Sequence, residues 1–193
     1  MKIIFVTSSP RRIEFLRKFN LKFNIIMPES EPKVSFRDPC KTAIMRAKGK
    51  VESVLPRIPQ DSIVMAADTI VYVEGKVLGK PRSKEEAIEI LKRLSGRSHC
   101  VITALVFASK DKVVSKCVKT MVRFKKLSAR EIMWYIETKE PMDKAGAYAI
   151  QGYAAFFIKE IRGDYYNVLG LPLNTIYTVL KTEFNIDLLK LLT

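Results

Sequence analysis

A chain of 193 residues that is 48% hydrophobic can bury a full core, yet no stretch approaches the roughly 18 uninterrupted apolar residues of a membrane span. Thirty-four basic against twenty acidic residues leave a formal charge of +14, which favours anionic partners such as nucleotides. The basic excess comes with no tail, no Cys/His finger and no aromatic residues interleaved with charge, so the balance disfavours nucleic-acid binding.

In chain order, Ile3 to Val6 reads as a buried strand, and Ser9-Pro10 as the cap and first turn of a helix with Ile13, Leu16 and Phe19 on its apolar side. Lys22 to Met27 reads as a second strand, and Pro28 to Pro39 as a polar loop carrying Glu29 and Glu31. A helix is expected from Pro39 or Cys40 to about Leu55, stopped by Pro56 and Pro59. Ser62 to Ala67 is a central strand that ends at Asp68-Thr69 and resumes in Ile70 to Val73, followed by a Glu74-Gly75 hairpin into Lys76 to Leu78.

Ser83 with Glu86, and Ser128 with Glu131, have capping-box spacing. The first opens a helix to about Leu94, closed by Ser95-Gly96, and the second a helix through Met133, Trp134 and Ile136. Between them, His99 to Ala108 and Lys112 to Phe124 form an antiparallel ribbon. Ala155 to Ile161 is a further strand, Pro172 to Phe184 a helix, and Leu188 to Leu192 a short apolar turn. Strands alternate with helices early and a hairpin interrupts them later. The expected class is α/β with a mixed sheet.

Cys40, Cys100 and Cys117 fit no metal spacing and are expected as reduced, mostly buried thiols. The N-terminus shows no signal-peptide pattern, so the expected location is the cytoplasm. Two Gln among many Lys and Glu lean towards a thermophilic source.

Four segments combine charge or amides with special backbone. Ser9-Pro10-Arg11-Arg12 sets two guanidinium groups in the first turn of a helix that follows a strand, where free amides and the helix dipole favour a phosphate chain; an ordinary capped helix with two solvated arginines is the other reading. Asp68 closes an apolar strand at the sheet edge, so it is a Mg²⁺ ligand, a base toward water, or a turn-forming residue capping its own backbone. Lys80 lies between Gly79 and Pro81, which either fixes an ammonium near a ligand or leaves it solvated. In Asp143 to Gly152, small residues surround Lys144 and Gln151, whose amide can read a base edge; a tight packed loop is the other reading. His99, the one histidine, is expected to be a core residue. Walker and dinucleotide-binding glycine motifs are absent.

Thr7-Ser8-Ser9-Pro10-Arg11-Arg12, Ala67-Asp68-Thr69, Gly79-Lys80-Pro81, Leu94 to His99, Asp143 to Gly152 and Asn167 to Leu173 occur in an order and spacing that resembles the Maf family, septum-formation-inhibitor-like nucleoside triphosphate pyrophosphatases. The resemblance spans nearly the whole chain, taken as a single domain over 1–193. It implies an elongated mixed sheet flanked by helices, like inosine triphosphate pyrophosphatases, with two lobes around a cleft. It implies hydrolysis of a nucleoside triphosphate to monophosphate and pyrophosphate with a divalent cation (Mg²⁺, Mn²⁺ or Co²⁺). The Ala147 to Gln151 block resembles the branch acting on dTTP and UTP, with modified pyrimidine triphosphates as further substrates.

Carried over on matching positions, Asp68 is the proton acceptor, and Arg11, Thr69 and Gln151 set specificity. Ser9, Arg12, Lys50 and Lys80 contact substrate, and Glu31 with Asp68 holds the metal. Thr7 stands where the family usually has Ser and keeps the hydroxyl. A homodimer is implied only by likeness. The competing reading is a nucleotide-binding regulator of cell division without significant turnover.

Overall fold

The structure, a computed structural model, describes residues 2–21 and 23–191, Leu191 by its backbone alone. Lys22, where the second strand was expected to start, and Leu192, the expected end of the last turn, lie outside the described residues. Among the described residues the strands are β1 (Lys2–Val6), β2 (Asn24–Ile26), β3 (Ser62–Val73), β4 (Lys76–Leu78), β5 (Ser98–Ala108), β6 (Val113–Phe124) and β7 (Ile158–Arg162). The α-helices are α1 (Pro10–Lys18), α2 (Pro39–Glu52), α3 (Lys84–Leu94), α4 (Ala129–Glu137), α5 (Tyr165–Val168) and α6 (Leu173–Phe184). One sheet runs β2-β1-β3-β5-β6-β7, with β4 paired to β3. It is mixed, as expected. β1 is parallel to β2 and β3, with Ile4 opposite Asn24 and Val64, whereas β4 is antiparallel to β3 and β7 to β6.

The chain divides into two compact units, residues 1–68, 103–118 and 170–193 in the first and 69–102 with 119–169 in the second. In the first unit, Ile3 to Val6 are buried, as the unbroken apolar run of a parallel strand requires. Phe15 and Leu16 of α1, Ala43, Ala47 and Val51 of α2, and Ile176, Val179 and Leu180 of α6 supply its helical faces. In the second unit, Ala87, Ile90, Leu91 and Leu94 of α3 and Ile132, Tyr135 and Ile136 of α4 do the same.

Ser128 and Glu131 close a complete capping box. At α3 only half of one forms. Glu86 N–H donates to Ser83 Oγ (3.2 Å), but the Glu86 carboxylate accepts instead from the Arg82 N–H (2.8 Å).

His99 is a core residue, as expected. Its Nε2 lies 2.8 Å from the Tyr148 hydroxyl, and Phe124 and Tyr148 meet its ring edge-on. Burial pushes its pKa down to about 4.

Several boundaries move. β3 runs unbroken through Asp68-Thr69, because Asp68 finds a side-chain partner and its backbone has no need to turn. Tyr153–Phe156 is a 3₁₀ turn, so β7 starts at Ile158 instead of Ala155. Tyr165–Val168 is a short helix whose cap Asp164 accepts the N–H groups of Tyr166 (2.7 Å) and Asn167 (3.3 Å).

The thiol expectation fails for two of three cysteines. Cys40, in the first turn of α2, is disulfide-bonded to Cys117 of β6, and only Cys100 is a free, half-buried thiol. Sequence spacing could not bring the pair together, because the two lie 77 residues apart and meet through the fold.

A bridge closing a loop that long limits the unfolded chain by about 2–4 kcal/mol. Reduction, or Cys117→Ser, is therefore expected to lower the melting temperature by roughly 5–15 °C, read by calorimetry with and without a phosphine reductant. A melting temperature unchanged by reduction would contradict the assignment.

Candidate functional site

The first unit gathers six of the nine residues singled out in the sequence. β1 delivers the chain to Thr7, whose Oγ1 accepts the Ser9 N–H (3.1 Å). Ser9 caps α1 by accepting the Arg12 N–H, and Pro10 occupies the first turn as expected. Arg11 is half-buried, while Arg12 turns into the protein. Its Nε donates to Gly170 O (2.9 Å) and its Nη1 to Ala67 O (2.9 Å). Arg12 thus pins α1 to the residue beside Asp68 and to the approach to α6. Burial lowers its pKa to about 10, a fall opposed by the Asp68 charge and deepened by neighbouring Arg11. It remains cationic at neutral pH.

Asp68 is 9% exposed. Its Oδ1 accepts from Lys50 Nζ at 2.8 Å, and Lys50, itself 5% exposed, also lies 3.5 Å from Glu31 Oε2. Ser8 Oγ donates to the other Glu31 oxygen (2.7 Å). One ammonium therefore ties a carboxylate on the central strand to one on a loop.

Local sequence explains how Glu31 gets there. Gly49 precedes Lys50 in α2, and a Cβ on it would stand 2.3 Å from Pro32 Cγ. Glycine costs a helix interior roughly 1 kcal/mol relative to alanine. Here it lets the 28–38 loop lie directly on α2, with Glu31 beside Lys50.

The charge balance is three cations (Arg11, Arg12, Lys50) against two carboxylates (Glu31, Asp68), a net +1 in a partly buried setting. Asp68 Oδ2 is buried and takes no hydrogen bond from the described residues. A buried carboxylate oxygen left unpaired costs about 1–3 kcal/mol and calls for a cationic or donor ligand. Among the described residues no group of three or more His, Cys, Asp or Glu side chains could hold a metal. Two carboxylates suit Mg²⁺-like ions, which bind one or two protein carboxylates and complete their shell from water and substrate phosphates.

The remaining three residues belong to the second unit. Thr69 follows Asp68 in β3 and is half-buried; Lys80 is exposed between Gly79 and a buried Pro81; Gln151 is exposed. The Lys80 and Gln151 segments are joined, because the Gly146 N–H donates to Gly79 O (3.0 Å). Gly146 has φ +74°, and a Cβ there would meet Val71 Cγ2 at 2.7 Å. Of the residues that complete this site, Ser8 stands in the Thr7 to Arg12 block without an assigned role, and Gly49 is marked in the sequence only as a glycine inside a helix.

A family model described as Maf-like protein matches residues 2–183. The chain belongs to that family. It is 45% identical over 180 residues to a "dTTP/UTP pyrophosphatase" of Thermosipho melanesiensis, covering 93% of this chain and 97% of the relative. It is 46% identical over 183 residues to one of Pyrococcus furiosus, covering 93% and 94%. Among solved structures, the Ham1 protein of Staphylococcus aureus aligns over 94% of this chain and all of that one, with a TM-score of 0.52 at 15% identity. A HAM1 protein from Coxiella burnetii gives 0.51 at 13%. These two likenesses establish the fold alone.

Removing the ammonium should expose what the bridge does. Lys50→Met leaves Asp68 buried without its partner and is expected to cost roughly 3 kcal/mol in urea unfolding. Adding Asp68→Asn should recover most of that loss. A single variant within 0.5 kcal/mol of wild type would contradict a buried ionic pair.

Proposed function

We propose that the chain is a nucleoside triphosphate pyrophosphatase that hydrolyses dTTP and UTP, and modified pyrimidine triphosphates, to the monophosphate and pyrophosphate. Two findings support the reading: family membership with relatives bearing that name, and a buried carboxylate oxygen lacking a partner among cationic side chains. We take the two units to act together as one catalytic domain, since a single family model runs through both.

A triphosphate carries about four negative charges, which must be offset before water can approach phosphorus. We assign Arg11, at the start of α1, Lys80, and Ser9 at the helix N-terminus to contact with phosphate. Arg12 commits two of its donors to backbone carbonyls, which fixes α1 against Ala67, and is assigned to substrate contact through the rest of its guanidinium. Lys50 holds Asp68 and Glu31 in place. Asp68 Oδ2 and Glu31 would hold a divalent cation (Mg²⁺, Mn²⁺ or Co²⁺). That ion would supply neutralisation of phosphate charge as the α–β bridge breaks. Asp68 either takes the proton of the attacking water or would hold the ion that orients it; water's oxygen bonds to one phosphorus, and the bridging bond cleaves to release pyrophosphate. Phosphoryl chemistry of this kind depends on position and charge, and needs no nucleophilic side chain. Thr69 and Gln151, with Arg11, are assigned to reading the pyrimidine edge, where carbonyl and N–H alternate.

A cytoplasmic setting fits a nucleotide substrate. The disulfide is compatible with it where the source is a thermophile, since intracellular hyperthermophile proteins carry such bridges.

The test is pyrophosphate release from a panel of triphosphates with Mg²⁺, Mn²⁺ and Co²⁺. The expected result is turnover of dTTP and UTP well above 7-methyl-GTP, abolished by chelator. Asp68→Asn, in which Lys50 keeps Glu31 as a partner, should still fold, at reduced stability, and lose at least a hundredfold in kcat. Stoichiometric nucleotide binding without turnover would favour a regulator, and near-normal turnover by Asp68→Asn would remove Asp68 from the chemistry.

A further inference from the structure

The segment carrying Gln151 is held from behind by two side chains with no assigned part in the reaction. Tyr135, on the inner face of α4, has a fully buried ring packed edge-on against Phe157 at 5.2 Å. Its hydroxyl donates to Glu140 Oε1 (2.7 Å) and accepts the Ala149 N–H (3.3 Å). The same Glu140 carboxylate accepts the N–H groups of Tyr153 (2.9 Å, Oε2) and Ala154 (3.4 Å, Oε1). Three backbone amides are thereby fixed, one on the N-terminal side of Gln151 and two on the C-terminal side.

Gly152 lets the carboxylate sit that close, because a Cβ there would lie 2.0 Å from Glu140 Oε2. Just before Ala149, the Tyr148 hydroxyl is engaged by His99 (2.8 Å). Burial and the neighbouring carboxylate raise the Tyr135 pKa, so its hydroxyl keeps the proton it donates. A carboxylate that takes the amides of residues 153 and 154 also caps the 3₁₀ turn of Tyr153–Phe156. The arrangement is asymmetric: the exposed residue inside the bracket is Gln151, whose amide has both a donor and an acceptor to present.

We propose that Tyr135 and Glu140 are positioning residues for base selectivity, holding the Ala149–Ala154 backbone so that Gln151 presents its amide in one orientation. The inference rests on the pyrimidine-triphosphate reading above. Hydrogen-bonded discrimination between similar bases depends on a preorganised partner: a Gln free to rotate accepts either pattern and loses selectivity before it loses chemistry. The clamp acts through Gln151 and touches neither phosphate nor water.

Steady-state hydrolysis of UTP and CTP by the full chain tests this, since the two bases differ by exchange of a carbonyl for an amine. Tyr135→Phe and Glu140→Gln keep size and ring packing. Each is expected to raise KM for UTP at least fivefold with kcat within a factor of two, and to narrow the UTP-to-CTP ratio of kcat/KM at least fivefold. Gln151→Ala should narrow the same ratio, and the Tyr135→Phe/Gln151→Ala double variant should narrow it no further. Wild-type selectivity in both single variants, or a fall in kcat at unchanged KM, overturns the clamp alone. Failure of both variants to unfold cooperatively also overturns it, since the pair would then serve only the fold. A wild-type protein that turns over neither UTP nor dTTP overturns the activity reading, and this inference with it.

Discussion

The ion pair between Lys50 and Asp68 is the constraint from which the first unit is arranged. Both groups are nearly buried, and the interior tolerates them only because they meet at 2.8 Å. That meeting requires α2 to lie under the middle of β3 and allows β3 to continue straight through an aspartate. Arg12 adds a second tie by grasping Ala67 O and Gly170 O, so α1, β3 and the lead into α6 are fixed around the same carboxylate. The disulfide secures the far end of α2, at Cys40, to β6. A buried pair of this kind contributes little net stability compared with an apolar core. Its place here is better understood through what it leaves over, one carboxylate oxygen without a partner among the described residues.

The second unit solves a different problem. There the exposed Gln151 lies on a segment that is short of regular structure, with 3₁₀ turns on either side. The unit buries the anchors and exposes the tip. His99 and Tyr135 contribute hydroxyl and imidazole contacts from inside the core, and Glu140 gathers the amides that no helix or strand satisfies. Glycines at 146 and 152 are required because Val71 and the Glu140 carboxylate occupy the space where a Cβ would go.

Much of this was legible in the sequence, and the limits follow from range. Ser9-Pro10, the Ser128/Glu131 box and the apolar periodicity of α3 are local signals, and the structure keeps them. Asp68 was read as an important acid but placed at a strand end, because the partner that lets the strand continue is 18 residues away on another element. The disulfide was missed for the same reason at greater separation. Arg11 and Arg12 look alike in the sequence, yet consecutive positions of a helix face different surroundings: Arg12 is buried and Arg11 half-buried. Glu140 carries no local signature at all; its role is visible only once the Tyr135 hydroxyl and the amides of residues 153 and 154 are brought to it.

The decisive measurement is a crystal structure with Mn²⁺ and a UTP analogue whose α–β bridge resists hydrolysis, with the ion located by its anomalous signal. The ion is expected in direct contact with the Asp68 carboxylate and with the phosphate chain. An ion bound elsewhere, with Asp68 still engaged by Lys50 alone, would contradict that assignment.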